Sequence, residues 1–139
     1  MAKISTFVLC DRIGQTKLQN GSEVPVLVGP IARLRPPFLP TLYSFGISVG
    51  MLDLGDTEEV QINFLLFDPK GECVFTTGTE TYQAKSNIAE NMPVEYRTLM
   101  CSMQLQNVQL SVEGLYELKI VINGEEIGIY KIPVYKESR

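Results

Sequence analysis

The chain contains no histidine and no tryptophan. Histidine is the commonest general base, the usual partner of an activated serine or cysteine, and the commonest side-chain metal ligand. Hydrolases built on Ser-His-Asp or Cys-His are therefore excluded. A zinc site would have to come from the three cysteines, Cys10, Cys73 and Cys101, which are far apart and form no CxxC pair. Each sits in an apolar, strand-like run, so buried free thiols are expected, and the odd count with no export signal at the N-terminus points to a reducing cytoplasm. Long hydrophobic runs are also missing. The opening MAKISTFVLCDRIG is interrupted by Asp11 and Arg12, and no other stretch approaches a membrane span. Without tryptophan the chain lacks a frequent platform for sugars.

What is present suits an ordinary globular protein: 45% apolar and 20% charged residues over 139 positions. That length fits a single domain over residues 1–139, able to bury its own core without metals or disulfides. The net charge of −4 does not favour nucleic acid as a partner. Charge is uneven, with +3 over residues 1–50 and −7 over the remainder.

The clearest element is a hairpin from Val112 to Tyr135. Tyr116, Leu118, Ile120 and Ile122 share one face of a strand, and Asn123-Gly124 tolerates the positive φ of a tight turn. On the return, Tyr130, Ile132 and Val134 have the parity opposite to Ile127, so a bulge is expected at Gly128. Pro133 lacks an amide donor, so this strand is expected at a sheet edge on that side or irregular near its end. Val60, Ile62, Phe64 and Leu66 alternate toward Asp68-Pro69-Lys70-Gly71, a turn that predicts a second hairpin returning over Cys73–Thr79.

Elsewhere, Ile4–Ile13 is apolar on both faces, as a central strand would be, with Ile4, Val8 and Cys10 on one side and Phe7, Leu9 and Ile13 on the other. Val24–Ile31 follows, restricted by Pro25 and Pro30 to an edge or an irregular course. In Leu42–Met51 the odd positions are apolar and the even ones are small, predicting one packed face and one closely approached or exposed. Leu99, Cys101, Met103 and Leu105 alternate, and Val108, Leu110 and Val112 continue in the opposite phase, predicting a bulge near Gln106 or Asn107. Thr81–Arg97 shows no sustained period and reads as a long loop with room for one short turn of helix. About eight strands and almost no helix argue for an all-β antiparallel sandwich, Ig-like or jelly-roll-like, with a closed barrel as the alternative.

Several of these features occur together in a recognisable order: Cys10-Asp11 closing the first strand, the Pro36-Pro37-Phe38-Leu39-Pro40 connector, Asp68-Pro69-Lys70-Gly71, and Gly114-Leu115-Tyr116 before the Asn123-Gly124 hairpin. In this the chain resembles a family of small bacterial β-sandwich proteins of unknown function. The resemblance spans nearly the whole chain and implies a fold, with no catalytic residues to carry over.

The expected function is a non-catalytic, cytoplasmic interaction module that binds a protein partner or self-associates into an oligomer. A phage-related accessory role is compatible with it. The candidate contacts are Arg33, Arg35, Phe38 and Tyr43 in and after the stiff Arg33–Pro40 connector, and Met92 and Tyr96 in the unpatterned Ser86–Tyr96 segment. The competing reading of the connector has Phe38 and Leu39 plugging the end of the sandwich while the arginines are merely solvated. No cofactor, metal, nucleic acid or membrane partner is expected. Three other classes stay open: a small-ligand or carbohydrate-binding sandwich using Tyr43, Tyr82 and Tyr96; a histidine-free enzyme working through carboxylates among Asp53, Asp56, Glu58, Glu59 and Glu80; and calcium at Asp53, Asp56 and Glu58.

Overall fold

A computed structural model describes residues 2–55, 59–83, 93 and 96–137. The first sheet contains β1 (Lys3–Lys17), β2 (Glu23–Ile31), β3 (Thr41–Leu52) and β7 (Thr98–Leu110), in the order β2-β1-β3-β7. The second contains β4 (Glu59–Phe67), β5 (Cys73–Thr76), β6 (Glu80–Gln83), β8 (Gly114–Ile122) and β9 (Glu125–Val134), in the order β5-β4-β8-β9, with β6 also pairing β4. All ladders between strands are antiparallel and none joins the sheets, so the architecture is a sandwich and not a closed barrel. Among the described residues no helix is long and apolar enough to cross a membrane.

Alternation builds the core. Phe45, Ile47, Val49 and Met51 of β3 face Val60, Ile62, Phe64 and Leu66 of β4 and Tyr116, Leu118, Ile120 and Ile122 of β8 within one continuous cluster. Two bulges keep the apolar sets inward. Gln106 and Asn107 stand opposite Ser44, where Asn107 has φ 54° and donates its amide to Ser44 Oγ at 3.0 Å. Around Gly128 the register slips by one residue between Ile120 and Val121, returning Ile132 and Val134 to the core. The two-residue turn between Ile122 and Glu125 has φ 51° at Asn123 and 81° at Gly124, as expected of that dipeptide.

The prolines lie where a missing amide is tolerated, Pro25 and Pro30 on the edge strand β2 and Pro133 on the edge strand β9. Tyr116, fully buried, donates its hydroxyl to Val112 O at 2.8 Å, tying the start of β8 to the loop before it.

Three expectations are corrected. The return strand from Cys73 stops at Thr76 and resumes as β6 at Glu80, making nine strands. Gly78, at φ 71°, turns the chain there, and β6 pairs with β4 one residue out of step with β5. Thr81–Gln83, read as loop, therefore belongs to a strand. In β1 the register shifts between Ile4 and Thr6, so Ile4, opposite Met51, shares the inner side with Phe7 and Leu9. Finally, only Cys10 and Cys101 are buried. Cys73 opens a four-residue edge strand and is exposed.

The second face of β3 is covered as closely as the first. Gly46, Ser48 and Gly50 are all buried, and Ser48 Oγ lies 2.7 Å from Ser102 Oγ. A Cβ at Gly46 would stand 2.7 Å from Cys10 Sγ and 2.8 Å from Ile13 Cγ1, so any larger residue must displace those side chains.

Candidate functional site

The connector after β2 is held by β9. Leu34 is 1% exposed, donates its amide to Pro133 O at 2.9 Å and accepts from the Tyr135 amide at 3.2 Å; Pro36 O accepts from the Glu137 amide at 2.8 Å. Leu34 thereby forms a parallel bridge with Val134 along the outer edge of β9. Local chemistry explains the arrangement. Pro133 directs its carbonyl outward, so its missing donor also falls on that side and leaves no orphan amide. Pro36 and Pro37 keep the connector extended, and Leu34 is the apolar residue that anchors it.

With Leu34 pointing into the core, its neighbours Arg33 and Arg35 are exposed. They line an open groove of about 460 Å³ with Glu113, Tyr135, Lys136 and Glu137. Glu113 Oε2 accepts the Lys136 amide at 3.0 Å, fixing one wall. Among the described residues neither guanidinium has an ion pair or hydrogen bond. Tyr135 is half exposed, and Leu115, opposite Pro133 in the ladder, is also exposed.

Phe38 does not plug the sandwich. It is 60% exposed, and the buried residues of the connector are Leu34 and Pro36, with Leu39 partly buried against the core. The peptide bond between Leu39 and Pro40 is cis. Tyr43 is half-buried, its ring 6.4 Å from Phe45, so it packs on the core next to the connector's end. Tyr96 is exposed in a turn whose amide bonds Pro93 O at 3.0 Å, ahead of β7 at the start of the segment that pairs with Leu52. Met92 lies outside the described residues. The structure therefore gathers Arg33 and Arg35 into one groove and leaves Tyr43 and Tyr96 elsewhere. Tyr135, Lys136, Glu113 and Glu137 are the residues that sequence reasoning missed. The parity of Ile132 and Val134 was the available signal, since it places Tyr135 on the outward face.

The other chemistry-bearing groups are dispersed. Tyr82 donates to Glu80 Oε2 at 2.9 Å and accepts from Cys101 Sγ at 3.4 Å. Burial pushes the Tyr82 hydroxyl well above its ordinary value, and burial likewise raises the Cys101 thiol, so both stay protonated and neither is an activated nucleophile. Burial also raises the Cys10 thiol, with the Asp11 charge adding to it. Tyr82 lines a separate cavity with Met103 and Phe75, in which neither Tyr43 nor Tyr96 takes part. Asp56 and Glu58 lie outside the described residues, and among those described no group of three carboxylates or thiols could hold a metal.

Residues 5–135 match the model of a family described as a family of unknown function, DUF6941. No curated protein matches the chain. Among solved structures it is similar to an immunoglobulin-like protein from Pseudomonas aeruginosa, at 11% identity over 97% of each chain with a TM-score of 0.38. It is also similar to part of a β-glucosidase from Listeria innocua, at 14% identity over 71% of this chain with a TM-score of 0.42. The match spans only 15% of that enzyme's length.

Proposed function

The chain belongs to DUF6941, a family that brings no assigned activity, and we propose, from the surface alone, that the protein is a non-catalytic interaction module. It acts by contact with a protein partner or a second copy, in a bacterial cytoplasm, as a small accessory protein of the phage-related kind. The observation that carries this reading is the pair of unpartnered guanidinium groups of Arg33 and Arg35 in one groove with the half-exposed Tyr135 ring. Arginine and tyrosine dominate the energetics of protein contacts. Here they stand on a backbone held by three hydrogen bonds to the end of β9 and the residues that follow it, so little ordering entropy is lost on binding.

The test is the solution mass by light scattering across protein concentrations, at low salt and at about 0.5 M salt, where exposed charges are screened. A concentration-dependent oligomer that disappears in Arg33→Glu/Arg35→Glu supports self-association through the connector. An oligomer indifferent to both variant and salt refutes the connector as its contact. A monomer under all conditions removes the second copy and leaves the separate partner.

A further inference from the structure

We propose that the Arg33–Arg35 edge takes an extended acidic segment of a protein partner, added alongside the connector as a further strand. The inference rests on reading this face as the contact surface, and deepens it by naming the partner's chemistry.

Leu34 uses both backbone groups, on Pro133 of β9 and on Tyr135 just after it, and Pro36 its carbonyl, on Glu137. In an extended chain successive residues direct their backbone groups to opposite sides, so the Arg35 N–H and C=O face away from β9. No described residue bonds them. The edge thus offers a donor and an acceptor side by side, the pattern that a peptide backbone satisfies. Side chains supply the selectivity. Arg33 and Arg35 are two residues apart, the repeat at which an extended peptide presents side chains to one face, so acidic residues at alternate positions meet both guanidinium groups. Each can take a carboxylate in a bidentate pair. Tyr135, in the same groove, adds apolar contact beside the pairs.

A phosphodiester chain fits less well. Glu113 and Glu137 stand in the same groove and offset part of the positive charge of Arg33, Arg35 and Lys136. The Arg35 carbonyl would also face another acceptor, and the protein as a whole is negative at −4.

The experiment titrates the ¹⁵N-labelled full chain with the blocked peptide Glu-Val-Glu-Val-Glu-Val. Lys-Val-Lys-Val-Lys-Val, inorganic phosphate and single-stranded DNA are run in parallel. The expected result is saturable shifts of the Arg33, Leu34 and Arg35 amides with the acidic peptide alone. Arg33→Gln and Arg35→Gln are both at exposed positions, and each should weaken binding about tenfold, the loss of one charge-assisted pair. No shift up to about 1 mM peptide, which would place the Kd well above about 1 mM, overturns the proposal. So do equal shifts with the lysine peptide, shifts confined to other strands, or equal binding of phosphate or DNA. An oligomer dissolved by Arg33→Glu/Arg35→Glu that no acidic peptide displaces would retain the contact surface and overturn only the acidic partner.

Discussion

Replacing Gly46 with alanine tests the packing of the first sheet at its tightest point. The added Cβ would lie 2.7 Å from Cys10 Sγ and 2.8 and 2.9 Å from two carbons of Ile13, all at a buried site. Overpacking of a filled site costs about 1–3 kcal/mol. Alanine returns about 0.5–1 kcal/mol through the lower entropy of the unfolded chain. The net expectation is a loss of about 1–2 kcal/mol, read as a fall in the urea midpoint of about 0.5–1 M for a slope near 2 kcal/mol/M. The Gly50→Ala variant is the internal control. Its nearest neighbour would be Met100 Sδ at 2.9 Å, the far end of an exposed side chain that can swing away. Only Ser5 Oγ at 3.1 Å and Thr6 Cβ at 3.2 Å then resist, so the loss should be under about 1 kcal/mol. Cys10→Ala made together with Gly46→Ala removes the closest clash, and the double variant should be more stable than the sum of the single effects. Gly46→Ala at or above the wild-type midpoint, or Gly50→Ala costing more, would refute the packing described.

Tyr116→Phe leaves Val112 O without its 2.8 Å partner and should lose about 1–2 kcal/mol in the same denaturation assay. Asn123→Ala removes a residue at φ 51° whose Oδ1 accepts the Gln61 amide at 2.9 Å, and should lower the midpoint by a similar free energy, about 1–2 kcal/mol. A maleimide reagent should label Cys73 alone in the native protein, with Cys10 and Cys101 reacting only after unfolding, as read by mass spectrometry. The two buried thiols also set a pH dependence: their folded values are raised, so both states hold the proton below the ordinary thiol range, and above it the unfolded chain ionises first. Stability should therefore fall as pH rises through the alkaline range, with a shallower slope in Cys10→Ala/Cys101→Ala.

Much of this fold was legible because alternation marks a buried face directly. The phase changes at Gln106–Asn107 and Gly128 were readable for the same reason: apolar parity flips there, and only an inserted residue keeps both sets inward. The shift after Ile4 left no such mark, since β1 is apolar on both faces and a flip changes nothing visible. The break at Gly78 was hidden by threonines on either side, which suit strand and turn alike. In the connector, proline forbids a period, so nothing in the sequence distinguished Leu34 as the inserted residue from Phe38. The pairing of Leu34 with Val134 was also out of reach, because backbone bonds between distant segments have no side-chain signature. Arg33 and Arg35 were legible as candidates by residue type, whereas Tyr135 became a neighbour only through that pairing.

The central claim is that this protein works by contact through the connector face. The most direct measurement places the photo-crosslinking residue p-benzoylphenylalanine at Phe38 or Tyr135 in cells, with Ser111 as a surface control. The account predicts one discrete protein adduct, with a second copy or another chain, from both connector positions, lost in the Arg33→Glu/Arg35→Glu background. An absence of adducts, or the same adducts from Ser111, would contradict it.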